Sequence, residues 1–292
     1  MPLIVGTSGW QYRDWRGGLY PAGVAQRRWL EHYATQYMTV ENNSSFYRLP
    51  APETFAGWRA RTPDDFVMAV KASRYITHVR KLRDPAGPVA RLLGAASELG
   101  PKLGPILLQL PPTLTAEPAL LDACLKEFRA ARPPGGHQPD GHQPGGHQPG
   151  GHLPGGQGRL RIAVEPRHAS WWTEEVKQIL AAHDAALSWA DRLGRPVTPL
   201  WCTAGWGYLR LHEGAADPWP SYGEQALRSW VDRVAQAWPG DADVYVYFNN
   251  DPGGAAVVNS AVFAALARDA GLAVTRTPPV GGVPPTAAIA TW

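Results

Sequence analysis

Cysteine is scarce: this 292-residue chain has two, Cys124 and Cys202. They form no CxxC pair and no metal-ligand spacing, which excludes a zinc ribbon or a thioredoxin-like motif and fits a reducing compartment. Cys124 falls on the apolar face of an expected helix and reads as a small core residue. Long apolar runs are missing too, so no segment has the length to span a bilayer. The first residues lead straight into Leu3-Ile4-Val5-Gly6, without the basic region and apolar stretch of a secretory signal. Charge of one sign is also lacking. A formal net charge of +3 is too small and too dispersed to argue for nucleic acid as the partner. These absences lead to the expectation of a soluble cytoplasmic protein with no membrane association, and leave its oligomeric state open.

What is in excess is tryptophan, with 13 residues. Most are expected in the core; the others suit flat ligands such as sugars or bases. Hydrophobic periodicity predicts strands at 3–8, 38–43, 66–72, 106–110, 160–165, 186–190, 206–212 and 244–249. Helical spacing predicts helices at 26–37, 52–61, 88–99, 120–131, 173–182, 225–238 and 255–270. No helix is expected at 192–205, and the Pro/Gly-rich tail from Thr275 is expected to be loosely held. Eight strands, most followed by a helix, are what a parallel (β/α)8 TIM barrel requires. The alternative, a doubly wound sheet, would need a glycine-rich phosphate loop, and Gly6-Thr7-Ser8-Gly9 has neither the dinucleotide nor the P-loop spacing. The expectation is one TIM-barrel domain over 1–292. Within it, 133–158 repeats Gly-Gly-His-Gln-Pro with His137, His142, His147 and His152. That composition cannot bury a core, so it reads as a disordered surface insertion on the face away from the site.

Side chains alternate along a strand, and this filters the polar residues. Leu209 and Leu211 share one face of their strand; Tyr208, Arg210 and His212 share the other. The same rule turns Glu41, Lys71, Glu165 and Asn249 inward, each at the C-terminal end of its strand, where barrel enzymes carry their sites.

Several stretches together resemble one known family. They are Gly6-Thr7-Ser8-Gly9-Trp10 with Tyr12 and Trp15, Val40-Glu41 with Asn43-Ser44-Ser45-Phe46-Tyr47, and Lys71-Ala72-Ser73 with Thr77-His78. Gln109-Leu110-Pro111-Pro112, Glu165-Pro166-Arg167-His168 with Ser170-Trp171, Arg210 with His212, and Phe248-Asn249-Asn250-Asp251 complete the set. The chain resembles the YecE-like family, catalogued as domain of unknown function 72, over nearly its whole length. The resemblance implies a TIM barrel and a kinship with sugar isomerases and apurinic endonucleases. Two features depart from the family pattern: Asn42, where an apolar residue is usual, and the His-Gln-Pro insertion.

Three chemistries fit the inward residues. In the first, Glu41 or Glu165 is a general base, with Lys71 and His212 completing the catalytic set, for isomerisation of a small anionic sugar-like substrate. Lys71, Arg167 and Arg210 would hold its phosphate or carboxylate. Trp10, Tyr12, Tyr47 and Trp171 would supply flat contacts, and Asn43, His78 and Asn249 would supply polar ones. In the second, Glu165, Asp191 and His212 hold a divalent metal for isomerisation or phosphoester hydrolysis. In the third, the two glutamates act as a glycosidase acid and base. Two non-catalytic readings stand beside them: a barrel that binds nucleic acid or carbohydrate without turnover, and a structural ion network of Glu41 and Glu165 with Lys71, Arg167 and Arg210.

Overall fold

The computed structural model describes residues 2–130, 160–238 and 240–281. The predicted insertion at 133–158 lies outside them. One mostly parallel, curled sheet organises the rest. Its strands are β1 (Pro2–Ser8), β2 (Thr39–Asn42), β3 (Val67–Lys71), β4 (Leu103–Gln109), β5 (Ile162–Glu165), β6 (Ala186–Leu187), β7 (Trp189–Arg192), β8 (Arg195–Pro196), β9 (Gly207–Leu211), β10 (Val244–Phe248) and β11 (Ala273–Val274). The hydrogen-bonded order is β6-β5-β4-β3-β2-β1-β10-β9-β7-β8, with β11 added on β1. All pairs are parallel except β7 with β8. The helices are α1 (Trp29–Gln36), α2 (Ser44–Tyr47), α3 (Pro52–Ala60), α4 (Ala86–Ala96), α5 (Pro118–Ala130), α6 (Glu174–Ala182), α7 (Glu224–Ala237) and α8 (Ala255–Asp269). None in the described residues is long and apolar enough to cross a membrane.

Alternation divides the core in two. Val5, Val40, Leu209, Leu211, Val246 and Phe248 join the large cluster that meets the helices. Ile4, Val67, Ala69, Leu107, Ala163, Tyr208, Tyr245 and Tyr247 form a second, smaller cluster on the concave side. Three tyrosines fill much of the latter, with Tyr208 5.3 Å from Tyr247 and 6.4 Å from Tyr245 between ring centroids. The apolar plug sits below the C-terminal ends of the strands, so the polar residues that follow it in each strand stand together above it. Gly6 fits this curvature: a Cβ there would lie 2.4 Å from the Thr39 carbonyl oxygen, so only glycine lets β1 and β2 approach as they do.

Two expectations are corrected. The strand at 186–190 is interrupted: β6 pairs with β5, β7 pairs with β9, and Ser188 between them donates its N–H to Val164 O at 2.8 Å. The 192–205 connection has no helix, as expected, and contributes the short antiparallel strand β8. The tail beyond 272 is held as far as Arg276: Val274 pairs with Leu3, Thr275 N donates to Leu3 O at 2.9 Å, and Arg276 meets Asp65 at 2.8 Å. A Pro/Gly-rich composition hid this because the strand it adds is two residues long. His183, just after α6, bonds Asp122 through its Nε2 at 2.7 Å. Asn42 has a physical role: its Oδ1 accepts from Ser44 N at 2.8 Å and Ser44 Oγ at 2.7 Å, turning the chain into α2. Cys124 is fully buried, as its position on α5 implied.

Candidate functional site

Arg210 is the centre of the polar cluster. β9 turns it to the concave face beside Tyr247 and Ala190, and its side chain is 1% exposed. Its Nε and Nη2 donate to Glu41 Oε2 and Oε1 at 2.9 and 2.8 Å, a two-pronged contact that matches guanidinium to carboxylate. Nη1 donates to Glu165 Oε2 at 2.7 Å, and Nη2 also reaches Ser8 Oγ at 3.2 Å. One guanidinium thus lies between two buried carboxylates.

Neither carboxylate has spare acceptor capacity. Glu41 also accepts from Ser8 Oγ and from Tyr208 OH, the latter at 2.7 Å. Glu165 also accepts from Gln109 Nε2, Arg167 Nε and His212 Nε2, each at 3.1 Å. Register explains the neighbours: Ser8 lies beside Glu41 across β1 and β2, and Gln109 beside Glu165 across β4 and β5. Burial by itself would raise both carboxyl pKa values. The Arg210 charge outweighs it, so Glu41 is held below the usual range and Glu165 well below it. Burial conversely works against the charge on Arg210, but Glu41 and Glu165 push its pKa up. A saturated, firmly ionised carboxylate is a poor proton acceptor. This geometry therefore does not favour either glutamate as the general base.

Lys71 is the contrasting group. It ends β3, is 8% exposed, and its Nζ has no hydrogen bond or ion pair within the described residues; its backbone carbonyl accepts from Ser45 Oγ at 2.7 Å. Its Nζ lies 4.3 Å from the centroid of the Phe46 ring, a cation–π contact supplied by α2. Burial first, and then the Arg210 charge, lower its pKa to about 8, with Glu41 and Glu165 opposing. His78 also packs on Phe46, edge-on, with ring centroids 4.9 Å apart. A wide helical turn over Tyr75–Val79 carries it, and its Nδ1 meets Thr77 Oγ1 at 2.8 Å. Burial, then the charges of Lys71, Arg74 and Arg167, depress its pKa and favour the neutral imidazole. Arg167 is 41% exposed; its Nε is engaged by Glu165, and its two Nη groups have no protein partner within the described residues.

His212 bonds at both ring nitrogens. Nε2–H donates to Glu165 Oε1, and Nδ1 accepts from Asn249 Nδ2 at 2.9 Å, a tautomer assigned from these partners. Burial lowers its pKa, and Glu165 partly restores it. The expected metal set does not assemble. Asp191 turns its Oδ1 to the His212 backbone N–H at 2.7 Å and to Tyr222 OH at 2.8 Å, and not toward the contact between Glu165 and His212. Among the described residues no group of three or more His, Cys, Asp and Glu side chains could hold a metal ion. Burial leaves Asp191 with a pKa raised to about 6.

Two of the aromatic residues expected to line the site are core. Trp10 is 5% exposed and packs edge-on to Trp58 at 5.7 Å, while Trp171 is fully buried with Nε1 donating to Leu114 O at 2.8 Å. Tyr47 is 74% exposed, and Tyr12 donates its hydroxyl to Ser8 O at 2.6 Å. Asn43 donates to Ser8 Oγ at 2.8 Å, and its own Oδ1 is buried and unpaired. His168 accepts from Ser170 N, as a cap of the turn at Ala169–Trp171. Sequence reasoning did not assign Ser8, Gln109, Tyr208 or Phe46 to the site, although it placed Tyr208 on the same face as Arg210. The first three were open to the same alternation rule that found Glu41; Phe46 was not, because it sits on a helix too short to show a period. Asp251 was missed as well: its Oδ1 is buried without a partner, and burial raises its pKa to about 7.

Comparison with known proteins agrees with the fold. UPF0759 protein YecE of Escherichia coli (strain K12) is 34% identical over 131 residues, 43% of this chain and 46% of that protein, so the match spans about half of its length. UPF0759 protein YunF of Bacillus subtilis (strain 168) is 24% identical over 287 residues, 88% of this chain and 92% of that protein. Among solved structures, the DUF72 family protein TM1631 of Thermotoga maritima MSB8 superposes with a TM-score of 0.67 at 24% identity, covering 89% of this chain and 96% of that one. EF0366 of Enterococcus faecalis V583 gives 0.68 at 19% identity, covering 91% and 95%. The family model described as "Protein of unknown function DUF72" matches residues 4–282, and the chain belongs to that family.

Proposed function

We propose that this is a cytoplasmic enzyme that binds a small anionic, sugar-like carbonyl compound at the C-terminal mouth of a closed barrel and moves protons on it, as an isomerase would. In this reading β6 and β7 are two halves of one strand bent at Ser188, which makes the sheet an eight-stranded TIM barrel. The single observation that carries the functional reading is a cation surplus. Among the described residues the ion-pair partners of Arg210 and Arg167 are Glu41 and Glu165, both committed to Arg210, and Lys71 has none. The surplus charge rests on Lys71 and Arg167, the two cations with groups left for a ligand. In a concave site with low-dielectric walls such a surplus attracts an anion. Proton transfer falls to Lys71 and His78, since the carboxylates are saturated.

Calorimetry with inorganic phosphate, sugar phosphates, sugar acids and a short abasic duplex tests this. Arg167→Ala, at an exposed position, should fold normally and bind the small anions roughly 10- to 100-fold more weakly, the loss expected for one charge-assisted contact. Unchanged binding of every anion by both Arg167→Ala and Lys71→Met would sink the reading. Preference for the duplex would move it to nucleic acid.

The repeat at 133–158 is proposed as a spacer. Replacing it by a short Gly/Ser linker between the flanking segments should shift Tm by less than about 2 °C, because a loop's closure entropy varies only slowly with its length. A large loss of folded protein, seen by calorimetry, would show that it contributes to the core.

A further inference from the structure

The chain has five lysines, at 71, 81, 102, 126 and 177. Lys126 pairs with Asp122 at 2.6 Å, Lys177 with Glu174 at 3.6 Å, and Lys102 donates to Arg59 O and Thr62 O at 2.7 and 2.6 Å. Lys71 differs from all three. It is more than nine-tenths buried, as Lys102 is, but its Nζ has neither the carbonyl oxygens that Lys102 has nor an acid, and meets only the Phe46 ring at the polar end of the sheet. Both adjacent carboxylates are held by Arg210, so neither can neutralise it. A structural lysine would have been paired or turned to solvent. An amine left desolvated among other cations is how proteins keep a lysine nucleophilic.

We propose that Lys71 captures its substrate covalently, its amine condensing with an aldehyde or ketone carbon to form an imine. The inference rests on the anionic carbonyl reading above and names the chemistry of that site. The neutral amine adds to the carbonyl carbon: the C–N bond forms as the π electron pair moves to oxygen. The two amine protons pass to that oxygen, which leaves as water as the C=N bond forms. No oxidant or metal enters the balance. His78, which shares the Phe46 ring with Lys71, would relay the protons: Thr77 engages its Nδ1, and its Nε2 has no hydrogen-bond partner among the described residues. Arg167 would hold the anionic end. The imine would acidify the adjacent C–H, so that a neutral imidazole could remove the proton. This assigns Lys71 the electron-withdrawing role and His78 the base role.

The amine's availability can be measured against the other lysines of the same molecule. With its pKa at about 8, Lys71 at pH 7.5 has roughly two hundredfold more neutral amine than an unperturbed lysine. Protein is incubated with glyoxylate, pyruvate or glyceraldehyde 3-phosphate and sodium cyanoborohydride, and the reduced adducts are mapped by peptide mass. Lys71 should be modified at least about tenfold faster than Lys126 and Lys177, the rate should level off above pH 8, and inorganic phosphate should slow it. Equal rates at all lysines would overturn the imine. So would calorimetric binding of these anions without selective modification, although the anion site would then stand. Selective modification by neutral acetaldehyde, unaffected by phosphate, would uphold the imine and remove the anion site. Lys71→Met sets the background.

Discussion

Arg210→Ala protein is expected to be recovered unfolded or not at all. The substitution leaves Glu41 and Glu165 buried, at 0% and 1% exposure, with no cation between them. Breaking a buried ion pair by removing one partner costs about 3–5 kcal/mol, and here one guanidinium serves two carboxylates. Domain stabilities are about 5–15 kcal/mol, so most of the margin is at stake. The pH dependence gives the mechanism away. In the wild type, both glutamates have folded pKa values below their unfolded ones. Their contribution is present above the unfolded pKa, near 4.5, and is lost as the pH falls through the folded values. In an Arg210→Met variant the sign reverses. Burial and mutual repulsion raise the carboxyl pKa values, the folded state binds the extra protons, and stability should rise as the pH drops from 7 toward 5. Adding Glu41→Gln and Glu165→Gln should recover part of the loss at pH 7. Urea unfolding between pH 5 and 8 makes the measurement. A loss under about 1 kcal/mol, with the wild-type pH trend, would mean that the network contributes little.

The concave cluster was legible in sequence because it follows a period. β9 and β10 alternate strictly, with Tyr208, Tyr245 and Tyr247 inward and Leu209, Leu211, Val244 and Val246 outward, and this rule had already placed Tyr208 and Arg210 opposite Leu209 and Leu211. Glu41, Lys71 and Glu165 followed from the same rule. What stayed hidden was partnership. Alternation says which side a residue faces and is silent on which donor meets which acceptor, so Arg210 read as free to take a substrate anion when its donors are already engaged. Asp191 failed for a related reason. It ends a strand, like Glu165, but Tyr222 and the His212 backbone draw its carboxylate aside. Trp10 and Trp171 failed for another: a tryptophan beside a site and a tryptophan beneath it look alike without a strand or helix period to place them. The break at Ser188 and the two-residue strand at Ala273–Val274 were beyond reach because neither is long enough to show a pattern.

Lys71→Met is expected to raise stability, the opposite of what most buried substitutions do. The folded pKa of Lys71 lies near 8, below the 10.5 of an unperturbed lysine. A base with a depressed folded pKa destabilises the fold wherever it is charged in the folded state. The penalty is therefore complete below pH 8, shrinks between pH 8 and 10.5, and vanishes above. A difference of this size corresponds to about 3 kcal/mol. Methionine has a similar length, keeps the contact with Phe46 through its thioether, and carries no charge. The variant should gain about 1–3 kcal/mol at pH 7, or a Tm rise of roughly 2–4 °C per kcal/mol. The gain should decline as the pH is raised toward 10, because the wild type improves over that window and the variant has nothing there to titrate. Calorimetric Tm measurements of both proteins at pH 7 and pH 9.5 decide. If Lys71→Met is less stable than wild type at pH 7, the amine is a paired structural group, and the case for its being held in reserve for a ligand fails with it. If the variant is more stable, the wild type carries an unneutralised cation at a cost to its own fold, which selection for folding alone would remove.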